Sequence, residues 1–262
     1  MKKILISGYY GFDNFGDEAI LGVLINHLRG NDITVLSSNP EKTGRTHNVN
    51  SLNSFNPKLI VERLPKFDML ISGGGSLLQN VTSNKSLFYY CGLINIMASL
   101  KKDVVIFAQG IGPVKGFWGK LIVKSALKKC KYISVRDVKS QELLKSWGIE
   151  SNLVCDPIFD LNLPTPKRTR KVGIQLRKFA SLTDELFDEI IKQVALKFSD
   201  REIELICFQD SEDEGISKVF LNKLKKKNPT INANIIKNLT NKEVIEKVSE
   251  YDYLIGMRFH AC

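Results

Sequence analysis

Short apolar runs of three to six residues alternate along this chain with longer stretches whose apolar positions recur every three or four residues. Runs that are apolar on both faces suit strands buried inside a parallel sheet, and the helical stretches between them supply the crossovers. In the first half the pattern predicts strands at 4–7, 33–36, 69–72, 104–108, 132–135 and 153–155, with helices near 17–29, 85–100, 116–130 and 137–147. The alternation lapses at Asp156-Pro157, and the string Pro164-Thr165-Pro166-Lys167-Arg168-Thr169-Arg170 reads as an exposed linker. A second α/β unit begins at Val172, with strands expected at 172–176, 203–208, 234–236 and 253–255. Capping boxes at Ser181 with Asp184 and at Thr240 with Glu243 predict two helix starts in it. After the first, Leu186, Phe187, Ile190, Ile191, Val194 and Phe198 form the expected core stripe.

The expected fold class is therefore α/β, with two Rossmann-like domains at 1–160 and 172–262 joined by a linker at 161–171. The last expected strand, 253–255, is followed by only seven residues, without the helices that should cover it. The second domain thus reads as incomplete and the chain as C-terminally truncated.

Composition narrows the class. The chain has 262 residues, 43% of them hydrophobic and 25% charged, ordinary values for a globular protein. It shows neither an export signal nor an apolar run long enough to span a bilayer, so a cytoplasmic location is expected. Five cysteines (Cys91, Cys130, Cys155, Cys207 and Cys262) lack paired spacing and read as buried, reduced thiols. The net charge is +10, and within the first half the excess gathers on the helix expected near 116–130, where Lys120, Lys124, Lys128 and Lys131 recur at helical spacing with Phe117 and Trp118 at its start. Such a helix suits anionic lipid headgroups, which makes a peripheral contact with the inner face of the membrane one reading; a solvated lysine face is the other. Nucleic acid is disfavoured, because no stacking-aromatic or recognition-helix pattern accompanies the charge.

Candidate chemistry lies at the carboxyl ends of the expected strands, where open α/β sheets bind ligands. After the first strand come Gly8, Tyr9, Tyr10, Gly11, Phe12, Asp13, Asn14, Phe15, Gly16, Asp17 and Glu18, then an apolar helix from Ala19. The glycine spacing fits neither the dinucleotide fingerprint nor the P-loop. Two carboxylates in the first helical turn would repel phosphate, so hydroxyl groups, as in a sugar, suit this loop better. Three further strand ends carry Gly73-Gly74-Gly75-Ser76, Gln109-Gly110-Ile111-Gly112-Pro113 and Arg136-Asp137, and a fourth carries Gly256-Met257-Arg258-Phe259-His260. The triple glycine suits an anion-holding nest. Arg258 and His260, two apart in extended chain, would project the same way, one to grip an anion and one to move a proton. A cleft between the two domains is the expected site. No cluster has metal-ligand spacing, no serine has a nucleophile elbow, and no metal or other cofactor is expected.

The strings GYYGFDNFGDEAIL, ISGGGSLLQN, FAQGIGP, ISVRD, Asp156-Pro157 and GMRFHA, in this order, resemble the polysaccharide pyruvyl transferases, most closely the bacterial branch that modifies cell-wall polymers carrying surface-layer proteins. The resemblance implies a glycosyltransferase-B-like fold, phosphoenolpyruvate as co-substrate and donor, and a lipid-linked saccharide as acceptor. It implies donor contacts from Arg136, Arg258 and His260, with Gly73, Gly74, Gly75 and Phe259 beside them. In the chemistry it implies, His260, Arg258 and Arg136 are the catalytic residues and His260 the general acid. Tyr10, Asp13, Asn14, Asp17 and Gln109 then fall on the acceptor side. Family members continue past the last string, and further donor contacts are expected there. A nucleotide-sugar glycosyltransferase of the same fold and an inactive sugar-binding remnant are the alternative readings.

Overall fold

The computed structural model describes every residue except Thr82, Arg168, Ala180 and Cys262. Cys262 among the expected thiols and Arg168 in the expected linker therefore lie outside the described residues. The described chain divides into two compact units, Met1–Phe12 with Gly16–Leu161, and Asn162–Cys262 with the short stretch Asp13–Phe15.

The first unit holds a seven-stranded parallel sheet in the order β3-β2-β1-β4-β5-β6-β7. Its strands are β1 (Lys3–Ser7), β2 (Asp32–Ser37), β3 (Asn50–Asn53), β4 (Met69–Ser72), β5 (Asp103–Gln109), β6 (Tyr132–Val135) and β7 (Asn152–Leu153). The helices are α1 (Phe15–His27), α2 (Pro40–His47), α3 (Pro57–Arg63), α4 (Asn84–Ser99), α5 (Phe117–Leu127) and α6 (Val138–Ser146). One face of the sheet packs Leu5, Leu70, Val104 and Ile106 with Leu87, Cys91 and Ile94 of α4. On the other, Ile4, Ile6, Val35 and Ile71 pack with Leu21 and Leu24 of α1. Burying each such side chain contributes about 1.5–3 kcal/mol.

Among the helices and strands of the first unit, α2, β3 and α3 lie where no periodicity predicts them. Asn39 and Asn56 cap the two helices, accepting from the backbone N–H of Lys42 and Leu59, and Pro40 and Pro57 open them. β3 is a polar edge strand, held in register with β2 from Thr34↔Asn50 to Ser37↔Asn53.

The second unit is a four-stranded parallel sheet, β10-β9-β8-β11. It comprises β8 (Lys171–Gln175), α7 (Asp184–Lys197), β9 (Glu202–Ile206), α8 (Asp210–Lys227), β10 (Ala233–Ile236), α9 (Asn241–Glu250) and β11 (Tyr251–Gly256). Its core joins Val172, Ile174 and Leu205 to Phe187 and Ile191 of α7 and Phe220 and Leu224 of α8. β11 is an edge strand and only half buried. The capping box at Thr240 and Glu243 is present. The one expected at Ser181 is not, because Thr183 caps α7 by accepting from the N–H of Leu186. This start turns Leu186 outward, leaving it 50% exposed, while Phe187, Ile191 and Val194 carry the buried stripe. Among the described cysteines, Cys91 and Cys207 are buried, Cys130 is intermediate and Cys155 is exposed. Burial pushes the Cys91, Cys130 and Cys207 thiols up to about 12, which keeps them protonated.

Candidate functional site at the carboxyl strand edges

Because every pairing in the first sheet is parallel, the loops after β1, β4, β5 and β6 leave from the same edge. The strand order reverses at β1, which pairs with β2 on one side and β4 on the other. Ligands of open α/β sheets bind at such a switch point. The glycine loop after β1 and Gly73–Gly75 after β4 flank it.

Gly8 and Gly73 are bare so that Tyr10 can fit. A Cβ on Gly8 would fall 2.4 Å from the Tyr10 ring, and one on Gly73 would fall 1.9 Å from its hydroxyl. Gly74 makes way for Ile20, with its Cβ position 2.7 Å from a side-chain methyl. At Gly75, with φ +91°, a Cβ would meet the Asp17 carboxylate at 2.7 Å. The Gly73 N–H donates to the Ser7 carbonyl at 2.8 Å. The triple glycine is buried, and each of its three positions is bare where a neighbouring side chain packs.

Two residues expected on the acceptor side are interior. Tyr10 is 1% exposed; burial first, then the Asp17 and Glu18 carboxylates, raises its phenol well above the ordinary range. Gln109 is wholly buried, and its Nε2 donates to Ser72 Oγ and the Gly73 carbonyl, both at 2.7 Å. Both side chains therefore support the loops from beneath, and neither presents a face to a sugar. Asp13 is exposed, and Asn14 and Asp17 are half-buried. Glu18, read as a helix-start charge, accepts the Gly11 N–H at 2.7 Å through Oε1 and so holds the loop closed.

Arg136, directly after β6, is seated in this edge. Its Nη1 donates to the buried Asp156 at 2.7 Å and its Nη2 to Ser76 Oγ at 3.2 Å. Gly110 lets the backbone pass close by, since a Cβ there would lie 2.8 Å from Ser76 Oγ and 3.4 Å from Arg136 Nε. Asp137 caps α6 by accepting from the Ser140 N–H, and Ser140 Oγ in turn accepts from the Ile111 N–H. Asp156 also lines a cavity of about 520 Å³ whose walls include Phe107, Tyr132, Pro157 and Phe159. Among the described residues, no group of three or more His, Cys, Asp or Glu side chains is placed to hold a metal ion.

The second unit has its own organised carboxyl edge. The expectation of Arg258 as an accessible anion grip is corrected, because the residue is 6% exposed and forms a bidentate ion pair with Asp213. Arg258 Nη2 donates to Asp213 Oδ1 at 2.6 Å, and Nε to Oδ2 at 3.0 Å. Asp213, wholly buried on α8, also accepts the N–H groups of Phe208 and Gln209 and the Gln175 side chain. It thereby ties together the end of β8 and the segments following β9 and β11. The extended geometry expected for Arg258 and His260 is likewise absent, since Phe259–Ala261 form a 3₁₀ turn. Phe259 is 62% exposed, with its ring edge-on to the half-buried His260 at 5.3 Å. Asp213 escaped sequence reading because it sits among other acids at an ordinary helix start.

Two Rossmann-like units, each built on a parallel sheet, fit the glycosyltransferase-B-like fold, and similar solved structures share that fold. The S. aureus MnaA–UDP co-structure has a TM-score of 0.64 at 10% identity, covering 99% of this chain and 74% of that one. Anabaena Alr3699/HepE in complex with UDP and glucose has a TM-score of 0.60 at 9% identity, covering 97% and 73%. A glycosyltransferase from Rickettsia africae ESF-5 gives 0.57 at 14% identity, covering 97% and 72%. No curated protein sequence matches. The sequence model for polysaccharide pyruvyl transferase matches residues 14–262, and the chain belongs to that family.

Proposed function

We propose that this transferase moves pyruvate from phosphoenolpyruvate onto a saccharide as a ketal, with a lipid-linked cell-wall polymer precursor as acceptor. The family match over residues 14–262 carries this reading. The donor bears a carboxylate and a phosphate, and a guanidinium suits either as a bidentate partner. Arg136 takes that role, oriented by Asp156 and Ser76. His260 protonates the donor's methylene carbon, and the resulting oxocarbenium-like centre accepts a sugar hydroxyl. Phosphate leaves and a second hydroxyl of the same sugar closes the ketal; of the two hydroxyl protons, one restores His260 and the other departs with the phosphate. Asp13, Asn14 and Asp17 orient the acceptor; Tyr10, Gln109 and the triple glycine shape the loops that carry them. Arg258 acts as a positioning residue, since its backbone N–H and guanidinium bind Gln175 and Asp213. The chemistry draws on no metal or other cofactor.

The test is phosphate release from phosphoenolpyruvate with and without saccharide acceptors. Release that requires an acceptor supports the proposal, and its absence with every saccharide tried refutes it. The similar proteins solved with UDP favour one rival, a nucleotide-sugar glycosyltransferase. Thermal stabilisation by UDP and not by phosphoenolpyruvate would support that rival.

A further inference from the structure

Residues 69–136 contain ten Lys or Arg and a single acid, Asp103, so this stretch holds nearly the whole net charge of +10. Asp103 is itself paired with Lys131 at 2.8 Å. The helices of that stretch, α4 and α5, contain no Asp or Glu and pack side by side. Gly119 of α5 lies in ordinary contact range of α4, its Cβ position 3.8 Å from Leu87. Lys129 adds a bond from just beyond α5 to Asn95 of α4, at 2.6 Å.

The outer surface of this pair is both apolar and basic. At the start of α5, Phe117 and Trp118 are 73% and 71% exposed, with their rings edge to face at 5.5 Å. Leu121, one turn on, and Phe88 of α4 are also exposed. Phe117, Lys120, Leu121, Lys124 and Lys128 fall at spacings of three or four, so one face of α5 presents aromatic, aliphatic and cationic groups together. Bulky aromatics exposed to this degree are costly in water, and every charged side chain of α4 and α5 is a lysine. That combination matches an anionic bilayer surface, where rings enter the headgroup boundary and lysines meet lipid phosphates. Among the described residues no helix is long and apolar enough to cross a membrane, so such a contact is peripheral.

We infer that the α4–α5 face, led by Phe117, Trp118, Lys120, Lys124 and Lys128, docks this protein on an anionic lipid surface. The inference is independent of the pyruvyl-transfer reading, because it rests on charge and exposure alone. Sedimentation with phosphatidylcholine vesicles, alone or mixed with phosphatidylglycerol, tests it. Binding should require phosphatidylglycerol and weaken steeply as salt rises. The exposed variants F117S/W118S and K120E/K124E/K128E should each weaken it at least about tenfold while leaving circular dichroism unchanged. The inference is overturned by equal binding to both vesicles, by no binding to either, or by unchanged binding in the variants. It is also overturned if the wild-type face pairs two copies of the chain or holds nucleic acid in preference to vesicles, and F117S/W118S abolishes that.

Discussion

Replacing Asp213 with Ala removes one partner of a buried ion pair and leaves the other inside. In the native protein the Arg258 guanidinium is 6% exposed and donates twice to Asp213, which also accepts two backbone N–H groups and the Gln175 amide. The variant takes the carboxylate from the buried Arg258 cation, which keeps a bond to Gln209, and the acceptor from the Phe208 and Gln209 N–H groups; Gln175 keeps its bond to the Leu176 carbonyl. Breaking a buried pair in this way costs about 3–5 kcal/mol, most of it the desolvation of the survivor. With a urea slope of about 1–2 kcal/mol/M for a unit of this size, the unfolding midpoint of the second unit should fall by roughly 2–3 M. Circular dichroism and tryptophan-independent proteolysis, followed side by side, read that transition. Removing the charge as well, in D213L/R258M, should recover most of the loss, because well-packed apolar replacements of a buried pair are often neutral. A D213A midpoint within about 0.3 M of wild type would refute the account of Asp213 as the tie between the three strand ends.

Other consequences can be checked in the same way. Gly73→Ala should destabilise the first unit by about 1–3 kcal/mol, because its Cβ would fall 1.9 Å from the enclosed Tyr10 hydroxyl; adding Tyr10→Phe should restore part of the loss in thermal melts. Thr240→Ala breaks the capping box of α9 and should cost about 1 kcal/mol by denaturant titration. Glu204 is buried, which opposes its charge, yet hydrogen bonds from Lys171 and Tyr251 and the Lys247 cation hold its carboxyl below the ordinary value of 4.5. Its contribution is thus present above the unfolded value and disappears as pH falls through the lower folded one. Stability measured from neutral pH down past 4.5 should decline less steeply in Glu204→Gln than in wild type. In the transferase assay, His260→Ala should abolish turnover while retaining phosphoenolpyruvate binding by calorimetry; equal loss of both would argue against an acid role.

The strand ends were legible because each is a local event. A short apolar run followed by glycines or Arg-Asp marks β4, β5 and β6 without knowledge of anything distant, and the parallel sheet then gathers their ends on one edge. What Arg136 does there was half legible: its position follows from β6, but its partner Asp156 is twenty residues away and wholly tertiary. Arg258 shows the limit more sharply. A guanidinium near a histidine reads as a ligand grip, and only the position of α8, which brings Asp213 against it, turns it into an internal tie. Tyr10 and Gln109 were misread for the same reason, since polar atoms in a glycine-rich loop look available until the packing around them is known. α2, β3 and α3 escaped because their sequences are polar and their caps, Asn39 and Asn56, precede prolines that also read as loop.

The central claim is the transfer itself, and the most direct test follows the donor's carbon. Phosphoenolpyruvate labelled at its second carbon should pass that label into a ketal carbon of the saccharide, seen by nuclear magnetic resonance, with one phosphate released per ketal formed. Label that stays in phosphoenolpyruvate in the presence of every acceptor, while a UDP-sugar is consumed under the same conditions, would contradict the account.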